Sequence, residues 1–545
     1  EKAVFLFITF HFCKANTTKS LIRFYQLFCP LTLNSISMNS FQLDTTLFNI
    51  GENQVPWAIK DAVEGVQIFG GIGSGKTSGS GRYLALKYLK HGFGGLVLTV
   101  KPDEKELWEN YCAIAGRTTD LIIVEPNGKH AFDFLAYECQ TSINKEAITE
   151  NIVEVLKTVI RASEDKSGGK SDDPFWESAL DMLLFNLIDL CLLAYGRITI
   201  DLMYSIVQTI PKKNKEGLAA VIAKRNENES SASSNHFMNA FYAATKNVNV
   251  LIDEWKSTLS LEMLDSMDSV EKDRMMTYEG VPESRTLDLV YMFFFETYIS
   301  LSEKTRSIID FSFSAFLMRL LKNPVYSLFC KKQSTFTPED SLQGKIIVLN
   351  LPTKLYQKVG RDIQIMFKYI WQRAMEKRNI KENDRPVFLW ADEAQNFIHE
   401  HDADYQATAR SSKIATVYLT QNLPNYYANM GGEKADYRVK SFLGTLGTKI
   451  FHANADIETN KYASELIGEG YSEDLSRTAT LAGSFSSSKS VSLQLERIVR
   501  AEELVSLKNG GVINSFLVEG YLHKQGNPIS GLFNFKKMLF NQNYQ

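Results

Sequence analysis

No two cysteines in this chain are spaced as C-x-x-C. The 6 that occur, Cys13, Cys29, Cys112, Cys139, Cys191 and Cys330, stand far apart. That argues against a zinc knuckle or a disulfide framework and fits reduced thiols in a cytoplasm. A surplus of positive charge is also missing. Lys+Arg number 60 against 63 Asp+Glu, for a net charge of −3. Contact with nucleic acid would therefore rest on local patches or an assembled channel, not on the field of the whole chain. The 8 histidines show no metal-ligand spacing, and His399, Glu400, His401 and Asp402 read as a solvated loop. Near the start, the apolar bursts Val4–Phe12 and Leu21–Phe28 fall short of the about 20 residues that a membrane helix needs. We expect no membrane span elsewhere either. The first methionine is Met38. The short apolar core could be a signal-peptide remnant, but residues 1–37 read better as upstream translation ahead of a start there, or as a disordered segment, and the fold is read from residue 38.

What is present centres on one stretch. Val66, Ile68 and Phe69 form a short apolar strand. Gly70-Gly71-Ile72-Gly73-Ser74-Gly75-Lys76-Thr77 follows and fits G-x-x-x-x-G-K-[ST] at every fixed position. Tyr83, Leu84, Leu86, Tyr88 and Leu89 then give a helix an apolar face. In such a loop the glycines let successive N–H groups point inward at a phosphate, and the helix start adds partial positive charge. Gly70, Gly71, Gly73, Ser74, Gly75, Lys76, Thr77 and Ser78 are the candidate nucleotide contacts. Lys76 can reach the β- and γ-phosphates, and the Thr77 hydroxyl can ligate Mg²⁺. The competing reading, a glycine-rich turn without a ligand, is disfavoured by the flanking strand and helix.

The lead-in from Met38 places Pro56-Trp57 near the nucleotide. Strands are expected at 94–100 and 120–125, with a helix at 103–115 between them, which points to a doubly wound parallel sheet. From about 142 to 342 helical periodicity replaces strand signal, over 143–160, 175–195, 202–209, 217–224, 237–267, 286–301 and 308–321. The polar tracts 164–173 and 226–235 break it, the second reading as a mobile loop. The α/β pattern returns with strands at 344–351, 386–391, 414–420, 447–452 and 511–518 and a helix at 360–378. The Ser-rich tract 482–492 reads as exposed. We expect a nucleotide-binding domain of residues 38–171 and 301–545, with 172–300 as an all-helical insertion.

Val387-Phe388-Leu389-Trp390-Ala391-Asp392-Glu393 is an apolar strand ending in two carboxylates. Ligands of open α/β sheets bind at that strand end. Asp392 is the candidate metal ligand, and Glu393 the candidate base for the attacking water. Gln421 ends the next strand, where a polar group can sense the γ-phosphate. A plain strand-end amide is its competing reading. Arg410 could be an arginine finger reaching a neighbouring subunit's nucleotide in a ring, or a surface ion-pair residue. Lys101-Pro102-Asp103-Glu104 also falls at the ligand edge, equally readable as a helix-start cap. Two basic clusters, Lys212, Lys213, Lys215, Lys224 and Arg225, and Lys322, Lys331 and Lys332, could meet phosphates but read better as solvated lysines.

Taken together, GGIGSGKTSG (70–79), LTVKPDEKELW (98–108), DPFWESA (173–179), LSEKTRSII (301–309), GKIIVLNLP (344–352), VFLWADEAQNF (387–397) and LTQNLP (419–424) resemble the TraG/TraD-type coupling ATPases of conjugative type IV secretion, relatives of the FtsK/HerA motors. RIVRAEELVSLKNGG (497–511) extends the likeness weakly. The resemblance implies a RecA-like P-loop NTPase core, mostly parallel, with an inserted all-alpha domain. It implies ATP and Mg²⁺ as cofactors and a homo-hexameric ring that hydrolyses ATP between subunits. DNA, single-stranded in the ring channel, would be delivered from a relaxase to the membrane components of the secretion channel. By motif position it supports Lys76 and Thr77 on nucleotide and Mg²⁺, Asp392 and Glu393 in hydrolysis, Gln421 as sensor and Arg410 as a candidate trans finger. Two departures stand out. The family's usual N-terminal membrane helices are not seen, which suggests a cytoplasmic protein, peripheral at most at the inner membrane. In addition, Lys101 begins a Lys-Pro-Asp-Glu run where an acidic residue and Pro-Lys-Gly-Glu are expected. Other readings are a soluble FtsK/HerA-like DNA motor, or a nucleotide-binding receptor for protein secretion with low turnover.

Overall fold

The computed structural model describes residues 41–141, 146–164, 174–211, 235–267, 269–399, 401–430, 435–481, 485–529 and 531–545. Outside them lie the stretch 1–37, the helix expected over 217–224, the cluster Lys212, Lys213, Lys215, Lys224 and Arg225, most of both polar tracts, Asp173 and residues 482–484. The chain divides into two units, residues 1–41 and 42–545, and every described strand and helix belongs to the second.

The strands are β1 (Thr46–Ile50), β2 (Val55–Ala58), β3 (Val66–Phe69), β4 (Gly94–Leu98), β5 (Leu121–Val124), β6 (Ile346–Leu349), β7 (Val387–Ala391), β8 (Ile414–Thr420), β9 (Thr448–Phe451), β10 (Glu469–Leu481), β11 (Phe485–Arg497), β12 (Leu517–Lys524) and β13 (Phe535–Asn541). Nine of them form one sheet, in the order β13-β12-β9-β3-β8-β7-β4-β6-β5. From β9 to β5 every neighbouring pair is parallel. β12 joins β9 antiparallel, and β13 joins β12 the same way. β3, β4, β6, β7, β8 and β9 are buried at every residue. That is the signature of a parallel sheet covered on both faces, and it explains their near-continuous apolar runs.

The principal helices are α1 (Arg82–Lys90), α2 (Glu104–Ile114), α3 (Glu146–Glu164), α4 (Pro174–Tyr195), α5 (Ile200–Gln208), α6 (His236–Ser257), α7 (Leu261–Ser266), α8 (Val270–Gly280), α9 (Pro282–Tyr291), α10 (Glu303–Leu320), α11 (Thr353–Lys377), α12 (Asp402–Ala409) and α13 (Ile457–Ile467). The fold is an α/β core with a helical domain, since the described residues between β5 and β6 contain no strand. α4 packs on α3, α6 and α9, and α5 on α10; α3 also packs on α11, next to the sheet.

Several expectations need correction. The helix expected over 237–267 ends at Ser257, and two shorter helices follow. Ser260 and Ser269 cap them by accepting the backbone N–H groups of Met263 and Lys272, a local bond that starts a new helix instead of prolonging the old one. The strand expected over 511–518 begins only at Leu517, because Gly510, Gly511, Ser515 and Phe516 all have positive φ, which no strand accommodates. Trp57 is not beside the P-loop. It is buried, stacks on Phe48 at 4.8 Å and donates to Thr448 Oγ1 at 3.2 Å, at the opposite end of β9 from the P-loop. The expectation of no membrane-length apolar helix also changes. Ser178–Tyr195, within α4, is long and apolar enough by length and composition, with mean hydropathy 1.6 and 44% of it buried. Its Leu183, Leu184, Leu187, Ile188 and Leu190 belong to the main core, the ordinary position of such a helix in a globular domain. The described cysteines, Cys112, Cys139, Cys191 and Cys330, are unpaired.

Candidate active site

β3 runs into the glycine-rich loop at the C-terminal edge of the sheet. Gly73 and Gly75 adopt φ of 73° and 82°, which only glycine reaches without strain, and the chain curls there. A widened turn, Thr77–Gly81, connects the loop to α1, with Gly81 N–H donating to Lys76 O at 2.8 Å. A Cβ at Gly81 would lie 2.9 Å from that same oxygen, so the tight return needs glycine.

The strand order explains the site. β8 lies between the P-loop strand β3 and the acidic strand β7. Groups at the ends of these three strands therefore converge. Lys76 is buried, with Nζ 3.4 Å from Glu393 Oε1. The Thr77 hydroxyl donates to Asp392 Oδ2 at 2.8 Å. Asp392 Oδ1 accepts the Glu393 N–H at 2.9 Å. Gln421, at the end of β8, donates to both Glu393 oxygens, at 3.2 and 3.4 Å. Thus Lys76, Thr77, Asp392, Glu393 and Gln421 form one hydrogen-bonded group. It lines a cleft of about 750 Å³ with Gly71, Gly73, Ser74, Gly75 and Ser78. Gly70 is not among the cleft residues, and a Cβ there would collide with the Ser74 hydroxyl oxygen.

Glu393 is held in the left-handed region, at φ 51° and ψ 49°. A non-glycine residue there costs of order 1 kcal/mol or more and persists only when its neighbours hold it. Here Gln395 donates to Oε2 at 2.9 Å, and Asn396 donates to the Glu393 carbonyl at 2.9 Å. Gln395 is itself fixed by the Thr420 hydroxyl at 2.8 Å. Burial pushes the Glu393 carboxyl up. Lys76 and the amides of Gln395 and Gln421 outweigh burial, leaving it below its ordinary value and ionised near neutrality.

The remaining candidates fall elsewhere. Ser78 lines the cleft, but its hydroxyl is taken by Gln542 Nε2 at 2.6 Å. Arg410 follows α12, is largely exposed and pairs with Glu64 Oε1 at 3.3 Å; it is not among the cleft residues. For His399 and Asp402 the solvated-loop reading is overturned, while Glu400 lies outside the described residues. Asp402 and Lys368 are fully buried and paired at 2.6 Å, Lys368 also donates to Phe397 O at 2.7 Å, and His399 is buried beside them. This pair ties the segment leaving Glu393 to α11.

Ser74 Oγ is buried in the P-loop with no hydrogen-bond partner from the protein, as a hydroxyl aimed at a ligand oxygen would be. Among the described residues no three His, Cys, Asp or Glu groups gather to hold a metal alone. A Thr hydroxyl beside one carboxylate instead suits Mg²⁺ carried in with phosphates.

Residues 386–509, which include Asp392, Glu393 and Gln421, match the family model of the TraM recognition site of TraD and TraG. Over that segment the chain resembles the TraG/TraD family. Among solved structures it is similar to the bacterial conjugative coupling protein TrwBdeltaN70 in an unbound monoclinic form. That match has 14% identity and a TM-score of 0.55, over 93% of this chain and 90% of that one. It is also similar to the plasmid coupling protein TrwB bound to the non-hydrolysable ATP analogue ADPNP, at 14% identity and TM-score 0.53 over 91% of each chain. A third match, TrwB with ADP and Mg²⁺, has 13% identity and TM-score 0.54 over 91% of this chain and 90% of that one. No curated protein matches in sequence. The TrwB-like fold accounts for the mostly parallel sheet and the helical domain together.

The site also uses residues that motif reading passed over. Asn454 donates to the Gln421 carbonyl at 2.7 Å, and its neighbour Ala453 accepts the Gly71 N–H at 2.9 Å. Gln395 and Asn396, two and three places after Glu393, could have been suspected as amides following an acidic pair. His452 had no sequence signal. Its Nδ1 faces the Glu519 carbonyl at 2.7 Å, so Nδ1 carries the proton and Nε2 accepts the Ser80 hydroxyl at 2.6 Å. Burial lowers its pKa to about 4. A histidine depressed in the fold contributes stability that is complete above its unfolded value near 6.5 and is lost as pH falls toward 4. Between pH 6.5 and 5 this group should cost about 2 kcal/mol. Denaturant midpoints at pH 7 and pH 5 check it. The acid loss should be smaller in His452→Gln, and an unchanged loss would remove His452 as its source.

Proposed function

We propose that the chain is an ATP-hydrolysing coupling protein that recruits DNA bound to a relaxase and pumps it toward a type IV secretion or conjugation channel. The observation that carries this is the convergence of Lys76, Thr77, Asp392, Glu393 and Gln421 on one cleft within a TrwB-like fold. In this reading the P-loop N–H groups and Lys76 hold the β- and γ-phosphates of ATP. Thr77 and Asp392 would hold Mg²⁺, which offsets phosphate charge. Phosphate binding draws Lys76 away from Glu393, and the freed carboxylate takes the proton of the attacking water. Gln421, bonded to Glu393, reports the state of the phosphates to β8.

The working form would be a homo-hexamer on the cytoplasmic side, peripheral to the inner membrane, with DNA in the ring. The helical region, residues 172–300 on our division, would receive substrate. In such a ring Arg410 would leave Glu64 for the neighbouring subunit's nucleotide. Arg410→Ala should then lower the activity of assembled protein by about 1,000-fold and leave dilute monomer unchanged. Equal loss in both would exclude a trans finger.

The test of the whole reading is steady-state ATPase activity of residues 38–545, with and without single- and double-stranded DNA, across protein concentration. DNA stimulation that rises with concentration is expected. Flat, low turnover would favour a nucleotide-binding receptor instead.

A further inference from the structure

Lys101 stands at the tip of β4, on a backbone held from several directions. Gln364 Oε1 accepts the Thr99 N–H at 2.7 Å, and Gln364 Nε2 donates to the Thr99 carbonyl at 3.0 Å. Glu104 Oε2 accepts the Val100 N–H at 2.7 Å, so Glu104 does bond back to the turn before its own helix, in the manner of a cap. The Val100 carbonyl accepts the Lys354 N–H at 3.1 Å. Gln364 and Glu104 are buried. The strand end is therefore firmly held, and the Lys101 side chain projects from it toward the cleft, which Asp103 also lines.

That side chain enters the cleft. Its Nζ lies 3.5 Å from Asp392 Oδ2, the oxygen that also takes the Thr77 hydroxyl. Lys101 thus faces Lys76 across the acidic pair. The cleft continues past Asp392 to Leu107, Tyr111, Thr353 and Lys354. A chain of phosphates that starts on the P-loop and runs to Asp392 ends within reach of Lys101. An ammonium on a long, mobile stem, based on fixed backbone, suits a phosphate oxygen as a point charge.

We propose that Lys101 is a second phosphate-binding cation that contacts the terminal phosphate of a bound nucleoside triphosphate and so distinguishes triphosphate from diphosphate. This rests on the nucleotide-site reading above. A lysine serving only as counter-ion to Asp392 would affect both nucleotides alike, because Asp392 belongs to the part of the site that both occupy. A terminal-phosphate contact affects the triphosphate alone.

The experiment compares dissociation constants for ADP and for a non-hydrolysable ATP analogue, each with Mg²⁺, on the whole chain. Lys101→Met should weaken the analogue by about tenfold or more, the loss of one charge-assisted contact, and leave ADP within about twofold. Lys101→Arg, which restores the charge, should recover most of the difference. Retained ADP binding shows that the variants are folded. Equal weakening of both nucleotides, or of neither, overturns the proposal while leaving the nucleotide site standing. If the unaltered chain binds neither nucleotide, the nucleotide-site reading falls and this inference with it.

Discussion

Glu393→Gln is expected to keep nucleotide affinity and to lose turnover by about 100- to 10,000-fold, the range for removing a positioned base. The substitution is nearly isosteric. The amide oxygen that remains can still accept from Gln395 or Gln421, so the strained backbone keeps part of its support. What disappears is the negative charge that Lys76 and the two amides hold ionised. Nucleotide binding and single-turnover hydrolysis, measured on the same preparation, separate the two effects. Normal turnover would show that another group takes the proton.

Lys76→Ala should be more damaging and in a different way. It removes the cation for the β- and γ-phosphates, so affinity and turnover fall together, turnover by at least about 1,000-fold. It also leaves Glu393 buried without its charge partner. Loss of one partner from a buried pair is destabilising by several kcal/mol, of order 3. The pair is not fully closed from water here, so a smaller cost is expected, read as a lower denaturant midpoint. Lys76→Arg keeps the charge but not the compact shape that fits the loop. It should therefore keep more stability than activity. An alanine variant that still hydrolysed ATP would place the nucleotide elsewhere.

What the sequence made legible divides along physical lines. The P-loop, the acidic strand end and Gln421 were readable because each is a side chain at a fixed offset from an apolar strand. Buried parallel strands are bounded by such offsets. Their convergence was not readable, since it depends on β8 inserting between β3 and β7, a long-range pairing with no local trace. β10 and β11 were missed for the opposite reason. They are mostly polar, the one alternating run, Val491–Leu495, is short and sits beside the Ser-rich tract, and they pair as a two-stranded sheet of their own. β13 reads FKKMLFN, and its lysines masked a strand whose position at the sheet edge tolerates them. The run 399–402 looked solvated because four polar residues stand together. Lys368, thirty-four places from Asp402, supplies the charge that makes burial tolerable.

Asn454 has a mechanical meaning beyond its place beside Gln421. Its amide holds the carbonyl of Gln421, just past the end of β8, its carbonyl takes the Asn460 amide at 2.9 Å, its side-chain oxygen takes the Asp456 N–H at 3.0 Å, and the residue before it anchors Gly71. One turn of chain is thus the pivot for both the phosphate loop and β8. α13 starts three residues later and leads directly to the long hairpin of β10 and β11. Only Gly468, at φ 94°, separates α13 from β10, so a short stretch of chain joins the pivot to the hairpin.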